Sequence, residues 1–523
     1  MQFIMNRMLW KRALCLALCL LLPISRALAA KGNQEETLIL GIVSTTTARF
    51  NPLMAVEREF MSLHALVYEG LVSMDDDYLP QPALAQRWEP SADGASWQFT
   101  LREGVTFHDG TPLTANDVVA TIQEILRLAN DQTNANKGVY ASIRYFVTDA
   151  SAAGEDTVVI MTPRRNFGFL YAMNFPILPA AQVQADQPAG TGPYVVEQFL
   201  PKDYLWLSAN SLWWGAPPSI KEISVIFHTA NRELISSYEY NRVDAVLTRS
   251  LTAAQYRSGI SSLHLNYRTK QLETLQLNHR SYELEDVRVR QAIRFALNLD
   301  AIAETSYMGM AQRTDTPMPL GTWMYRAEEG AVRHNPEEAK RLLDEAGWID
   351  SNNDGIRDMM RDGKSVKLSL RFYAYEEQDN SARLSAAGLI VSQLAAVGIE
   401  ARLVPMSFKE TVEKLEAGSY DLCLASFNMD FTPDPGFMLI SGNTANYTRY
   451  KSAAMDALFD ELRGTMSRDQ YRAKLGAIQD LFLRDIPFIC LYYRSGAILT
   501  RRMFTSVRDV REPEVLRGIE SAY

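Results

Sequence analysis

The sequence predicts an α/β protein of two lobes with an additional accessory domain, and three observations carry that prediction. Strand-like and helix-like segments alternate along the chain, which calls for helices packed against sheets. A fresh alternation begins after Thr274-Leu275-Gln276-Leu277-Asn278, a strand placed to cross from one body to another. Upstream of it, Ala83 to Val118, ALAQRWEPSADGASWQFTLREGVTFHDGTPLTANDV, carries turn, hairpin-strand and helix-start signals in close succession. At 523 residues, 47% hydrophobic and 22% charged, the chain has ordinary globular composition and room for several domains.

In that stretch, a turn over Glu89-Pro90-Ser91-Ala92-Asp93-Gly94 precedes Trp97, Phe99 and Leu101, which alternate with Gln98, Thr100 and Arg102 as in a half-buried hairpin strand. A second turn, His108-Asp109-Gly110-Thr111-Pro112, leads to Thr114 and Asp117, spaced as a capping box. The helix they open buries Val118, Ile122, Ile125 and Leu126. Ahead of this stretch, Thr37 to Val43 predicts a strand, Ser44 to Pro52 a polar loop, and Phe60 to Leu71 a helix stopped by Gly70. After it come strands near Ser142 to Val147 and Thr157 to Met161. Gly190-Thr191-Gly192-Pro193-Tyr194 marks a backbone that turns sharply; it lacks the strand-to-helix Gly-x-Gly-x-x-Gly context of a phosphate cradle. Alternation then runs from Tyr194 through Leu207, and past the aromatic turn Trp213-Trp214-Gly215 a strand returns over Ile220 to Phe227.

In the second body, Asp286 caps a helix with Val289, Ile293, Ala296 and Leu297 on one face. Asn335-Pro336-Glu337-Glu338 opens another, with cap, first-turn proline and glutamate in place. Strands over Lys367 to Tyr373, Glu400 to Val404 and Asp421 to Ser426 alternate with helices over about 383–397 and 409–417. A late apolar segment spans Ile486 to Ile498.

The residues of 83–118, together with Gly190-Thr191-Gly192-Pro193-Tyr194 and VRVRQAIRFAL (287–297), closely resemble the extracellular solute-binding proteins of ABC importers, in the branch that carries oligopeptides, dipeptides and nickel. The resemblance extends from about residue 37 to 500 and implies a two-lobed periplasmic-binding-protein (Venus flytrap) fold. Lobe one would comprise 31–73, 194–274 and 488–523, the accessory domain 74–193 and lobe two 275–487, with crossings near Leu275 and Pro487. It further implies a monomeric binding protein rather than an enzyme, needing no cofactor, that captures peptides between its lobes and delivers them to a membrane permease. Ser44, Thr45 and Thr46 on the first loop, and Ser426, Phe427 and Asn428 on the strand at 421–426 and just after it, are the implied cleft lining. The sharpest site residue is Asp430, in Asp430-Phe431-Thr432-Pro433-Asp434-Pro435, where relatives pair an aspartate with the ammonium of the bound peptide. A cation enclosed between lobes needs such a carboxylate to offset its lost hydration. The segment is one residue longer than the family's usual form, so Asp434 shares the candidacy, with Asp430 preferred because it is nearer the strand end. Alternative cargoes are nickel or another metal chelate, or a non-peptide solute. An extracytoplasmic hydrolase would need a nucleophile and base, and no Gly-x-Ser-x-Gly elbow is present.

Other features bound the setting. Arg7, Lys11 and Arg12 precede an apolar run from Ala13 to Leu22, and Ala27-Leu28-Ala29 supplies a cleavage site, so 1–29 reads as a secretory signal peptide and the mature protein as periplasmic or otherwise extracytoplasmic. Cys15 and Cys19 follow leucines rather than the small residue that lipoprotein processing needs. Net charge is −9, and about −13 without the four basic residues of that leader, which argues against nucleic acid as a partner. The six histidines are scattered, without metal-binding spacing. Asp350 to Gly355 imitates the start of an EF-hand, but Arg361 stands where the bidentate glutamate belongs, so an Asx-type turn is the better reading. Cys423 and Cys490 lie in apolar runs as small hydrophobes, and whether they pair stays open in the sequence.

Overall fold

The computed structural model describes residues 36–44, 49–54, 57–131, 138–256, 258–259, 262–319, 321–326, 333–377, 380–429, 432–502 and 510–521. The predicted signal peptide, Thr45, Thr46 and Asp430 lie outside them. Among the described residues no helix is long and apolar enough to cross a membrane.

One large sheet organises the chain. Its principal strands are β1 (Thr37–Val43), β2 (Tyr194–Leu200), β3 (Tyr204–Ala209), β4 (Glu222–His228), β5 (Ala245–Thr248), β6 (Leu263–Leu277), β7 (Ser369–Tyr375), β8 (Glu400–Met406), β9 (Leu422–Asn428) and β10 (Phe488–Thr500). They lie in the order β8-β7-β9-β6-β10-β5-β1-β4-β3-β2, and the short strand Ala311–Arg313 also pairs with β10. β1 runs parallel to β4 and β5, and β7 runs parallel to β8 and β9. Joining these two parallel groups is an antiparallel ribbon, β6 on β10. Its register holds from Leu263↔Thr500 to Arg268↔Ser495, shifts, and resumes from Leu272↔Tyr493. Each strand of the ribbon therefore serves both halves of the sheet.

Helices cover the sheet because their apolar residues recur at helical spacing. Val289, Ala292, Ile293 and Ala296 of the helix Val287–Ala296 are buried with Leu275 and Leu277 of β6 and Phe372 of β7. Side chains from the alternate positions Leu272, Cys423 and Phe427 enter a separate core with Phe459, Tyr471 and Phe482. Local signals place helix starts accurately. Thr114 and Asp117 form a reciprocal capping box at the helix Ala115–Asn130, and Asn335 accepts from the Glu338 N–H ahead of Pro336–Glu345. In the accessory region the sheet order is Ala85–Pro90, Ser96–Leu101, Thr157–Met161, Asp149–Ala152.

Three local expectations fail for identifiable reasons. Residues 142–147 are not a strand: Ala141–Tyr145 is a 3₁₀ turn, closed by Phe146 and Val147 N–H groups on the Ile143 carbonyl, and Asp149–Ala152 is the strand. The alternation from Tyr194 to Leu207 is two strands, because Lys202 adopts a left-handed φ of 67° and reverses the chain. The helix expected to end at Gly70 ends at Val67; Gly70 is needed instead where its Cα passes the Asn174 backbone.

Gly190 has a similar explanation. A Cβ there would lie 1.9 Å from the Val67 carbonyl oxygen, and one on Gly192 2.8 Å from it. Close backbone approach, rather than a sharp turn, demands both glycines. The two cysteines are also resolved. Cys490 lies opposite Thr274 and Cys423 opposite Gln276, on strands flanking β6 from its two sides. Two strand spacings and a two-residue offset along β6 put their Cα atoms about 11–12 Å apart, beyond the reach of a disulfide, and both are buried free thiols.

Two predictions follow from this packing. Gly190→Ala forces backbone against backbone and should cost about 3 kcal/mol or more of unfolding free energy in urea titrations. His64 is 3% exposed, its ring 4.5 Å from that of Phe50, and burial pushes its pKa down to about 3. His279 is likewise pushed to about 4, by burial and then by Arg290. Both fold as neutral imidazoles that would take a proton near 6.5 when unfolded, so their contribution is present above that pH and is lost as pH falls towards 3–4. Stability should fall below pH 6.5 with a limiting slope of about 1.4 kcal/mol per pH unit for each histidine. His64→Phe should remove one share of that slope in melts between pH 7.5 and 5.

Candidate functional site

Ligands of open α/β sheets bind beyond the carboxyl ends of parallel strands, and here the register brings two such sets of ends together. Asn428, last in β9, pairs with Gln271, and Thr248, last in β5, pairs with Ala497. Both partners sit within a few residues of the register break in the β6/β10 ribbon.

A cavity of about 770 Å³ opens beside that break. Lys270 of the ribbon, Asn428 and Met429 after β9, and Thr432, Phe437 and Asn443 line one side. Ser142, Tyr145, Thr162, Asn166 and Phe169 of the accessory region line the other, and Glu512 and Pro513 close a third. Contacts tie this region to residues far along the chain: Arg164 pairs with Asp460 at 3.3 Å, the Phe167 N–H donates to the Thr465 carbonyl at 2.8 Å, and the Tyr78 carbonyl accepts from Trp323 Nε1 at 3.1 Å.

The sequence candidates fall in different places. Asn428 is exposed and lines the cavity. Ser426, two residues earlier on the same strand face, is partly exposed, with its Oγ 3.2 Å from Tyr375 Oη and 3.3 Å from Gln271 Nε2. Phe427 points the opposite way, its ring packed 6.2 Å from Phe437 and 6.0 Å from Tyr447, so its side chain belongs to the core. Ser44 is also buried, and its hydroxyl donates to Glu57 Oε2 at 2.7 Å. Asp434 lines the cavity but is already engaged, accepting from Arg463 Nε at 2.6 Å and from the Gly436 N–H at 2.8 Å. Asp430, Thr45 and Thr46 lie outside the described residues. His108 is structural: its Nε2 sits 3.0 Å from the Gly192 carbonyl oxygen.

Asp350 accepts from the Asp354 and Gly355 N–H groups, while Lys367 Nζ pairs with Asp354 Oδ2 at 2.5 Å. The EF-hand-like loop is an Asx turn carrying an ammonium as its cation. Among the described residues no group of three His, Cys, Asp or Glu side chains is placed to hold a metal ion.

Sequence reasoning missed a buried charge cluster beside Ser426. Glu273 of β6 accepts from Arg383 Nη1 (2.7 Å) and Nη2 (2.9 Å) and pairs with Arg494 Nε of β10 at 2.8 Å. Glu377 accepts from Arg494 Nη1 (3.0 Å) and Arg383 Nη2 (2.9 Å). Glu273 and Arg383 have no exposed side-chain surface. Burial alone would raise the Glu377 pKa, but Arg494 and Arg383 outweigh it and hold the carboxylate below its usual range. The signal was present: Glu273 is the one charge in Leu272–Leu277, and Arg494 the one charge in β10.

The model of the family described as bacterial extracellular solute-binding proteins, family 5 middle, matches residues 80–449, well over half of the chain. The oligopeptide-binding protein AppA of Bacillus subtilis is 24% identical over 492 residues, covering 89% of this chain and 87% of that protein. The nickel-binding periplasmic protein of Escherichia coli is 23% identical over 370 residues, 66% of each chain. The solved structure of Bacillus subtilis AppA in complex with a nonapeptide superposes with a TM-score of 0.68 at 22% identity, covering 93% of this chain and 98% of that one. The architecture is thus that of a two-lobed periplasmic binding protein.

Removing Arg463 tests the cavity wall. Arg463→Gln leaves the Asp434 carboxylate, 8% exposed, without its cation and should cost about 1–3 kcal/mol in urea unfolding.

Proposed function

The chain belongs to the bacterial extracellular solute-binding proteins of family 5, and from that premise we propose that it is the binding subunit of an ABC importer, taking peptides into the cleft between its lobes and passing them to a permease in the cytoplasmic membrane. The observation that carries this reading is the position of the cavity at the register break of the ribbon, where the ends of two parallel strand groups converge. A ligand held there touches both lobes, so closure adds contacts absent from the open form and shifts the population towards the closed one. The mixed lining of amides, hydroxyls and aromatic rings suits a peptide held by its main chain, with side-chain pockets that stay wet and tolerant. Relatives named for oligopeptide binding support the same cargo.

Asp430, one residue past Met429 at the cavity edge, is the proposed partner of the peptide ammonium. Asp434 is the poorer candidate because Arg463 already neutralises it. Ser426 and Asn428 would line the cleft with Thr45 and Thr46, while Phe427 would contribute backbone alone and Ser44, buried and bonded to Glu57, would only support the first loop. The leader over 1–29 would export the protein, which would work as a monomer, binding its cargo without turning it over. A second reading keeps the same importer but makes the cargo nickel or another metal chelate, and the nickel-binding relative favours it.

Native mass spectrometry of protein purified from its own periplasm separates the two. Released material should be a ladder of short peptides, and Asp430→Ala should lose most of that occupancy. A single non-peptide species or a metal complex would keep the fold and transfer the site to a different cargo.

A further inference from the structure

Ser426 is partly exposed and lies two residues before the cavity-lining Asn428 on the same strand face, so the direction of its hydrogen bonds bears on what a solute there would meet. Arg383 carries only donors, and its Nη2 donates to Tyr375 Oη at 2.6 Å while its Cζ lies 3.8 Å from the centre of the Tyr375 ring. A hydroxyl whose oxygen accepts from a guanidinium is polarised into a stronger donor, and the next atom in line is Ser426 Oγ at 3.2 Å. From the other side comes Gln271. The Glu273 carboxylate only accepts, so the amide atom 3.2 Å from its Oε1 is the Gln271 NH₂ group. The same nitrogen lies 3.3 Å from Ser426 Oγ and turns its second hydrogen there.

Ser426 accepts from Gln271, and its hydroxyl makes no hydrogen bond among the described residues beyond those to Gln271 and Tyr375. With Tyr375 as the donor of their 3.2 Å contact, both oxygen lone pairs of Ser426 would be occupied and its own proton left to be given away. We propose that the Glu273–Arg383–Glu377–Arg494 cluster, acting through Tyr375 and Gln271, holds Ser426 as a donor-only hydroxyl that selects a carbonyl or carboxylate oxygen of the bound solute. Resting on the peptide reading above, this assigns Ser426 to a main-chain or terminal oxygen of the peptide, and makes Tyr375, Gln271 and Arg383 positioning residues. It also accounts for the cluster. Burying four charges is costly and weak as a source of stability, but two of them here act on a neighbouring polar group, Arg383 on Tyr375 and Glu273 on Gln271, while Glu377 with Arg494 completes the neutralisation.

The test uses the full mature chain, a random library of unblocked tripeptides as the probe, and the variants Ser426→Ala, Tyr375→Phe and their combination. Ser426→Ala should weaken library binding roughly tenfold, the loss of one hydrogen bond of good geometry, while the unliganded melting temperature stays near the native value. Tyr375→Phe should weaken binding to a smaller extent, and the double variant should bind no worse than Ser426→Ala, because the tyrosine acts only through the serine. Native affinity in Ser426→Ala, or independent losses in the double variant, overturns the proposal. A native protein that ignores the library defeats the peptide reading instead, and the network is then judged without ligand. Amide hydrogen exchange over Ser426–Asn428 should accelerate in Tyr375→Phe, where the side-chain link between β7 and β9 is cut, and unchanged exchange overturns the network.

Discussion

Everything in this protein hangs on the two-stranded ribbon of β6 and β10. Each strand is long enough to pair in both lobes, so the lobes share backbone hydrogen bonds rather than merely touching. A continuous flat ribbon would lock them; the shift between Arg268 and Leu272 interrupts the ladder and supplies a place to bend. Because parallel strands on either side point their carboxyl ends at this interruption, the joint and the cavity coincide. The fold could not move this cavity away from its joint without reordering the sheet.

The charge cluster sits beside that joint. Glu273 and Arg494 come one from each ribbon strand, and Arg383 and Glu377 come from the segment that follows β7. Attraction among them offsets desolvation because both carboxylates accept from guanidinium groups, with Arg494 Nε left in an ion pair rather than a hydrogen bond. The result is a buried polar block beneath Ser426, where an apolar core would pack equally well but orient nothing.

Much of the fold was legible because local and long-range signals agree. The Thr114–Asp117 capping box, the Asn335 cap and the period-two strands of both lobes each rest on a few adjacent residues, and the structure places them as expected. The failures share a cause. Residues 142–147 carry apolar side chains at a spacing that serves a tight helical turn as well as a strand, and the decision is made by tertiary burial of Ile143. The glycine requirement at 190 was visible, but its reason lies in Val67, more than a hundred residues away. The site was less legible still. Ser426, Phe427 and Asn428 were named through the family resemblance alone, and strand alternation then separates them: Asn428 lines the cavity while the Phe427 side chain turns into the core. Arg383 and Glu377 gave no local sign of a partner, since their partners, Glu273 and Arg494, are contributed by strands distant in sequence.

The two thiols flanking β6 have a practical consequence. Burial pushes the Cys423 pKa up to about 12 and that of Cys490 well above its ordinary value, so neither offers the thiolate through which cysteine reacts. A cysteine introduced on the surface of each lobe would then be the site that alkylating dyes find first. A matched donor and acceptor pair could be attached to the folded chain without first stripping out its native cysteines, and the opening and closing of the cleft could be watched in single molecules.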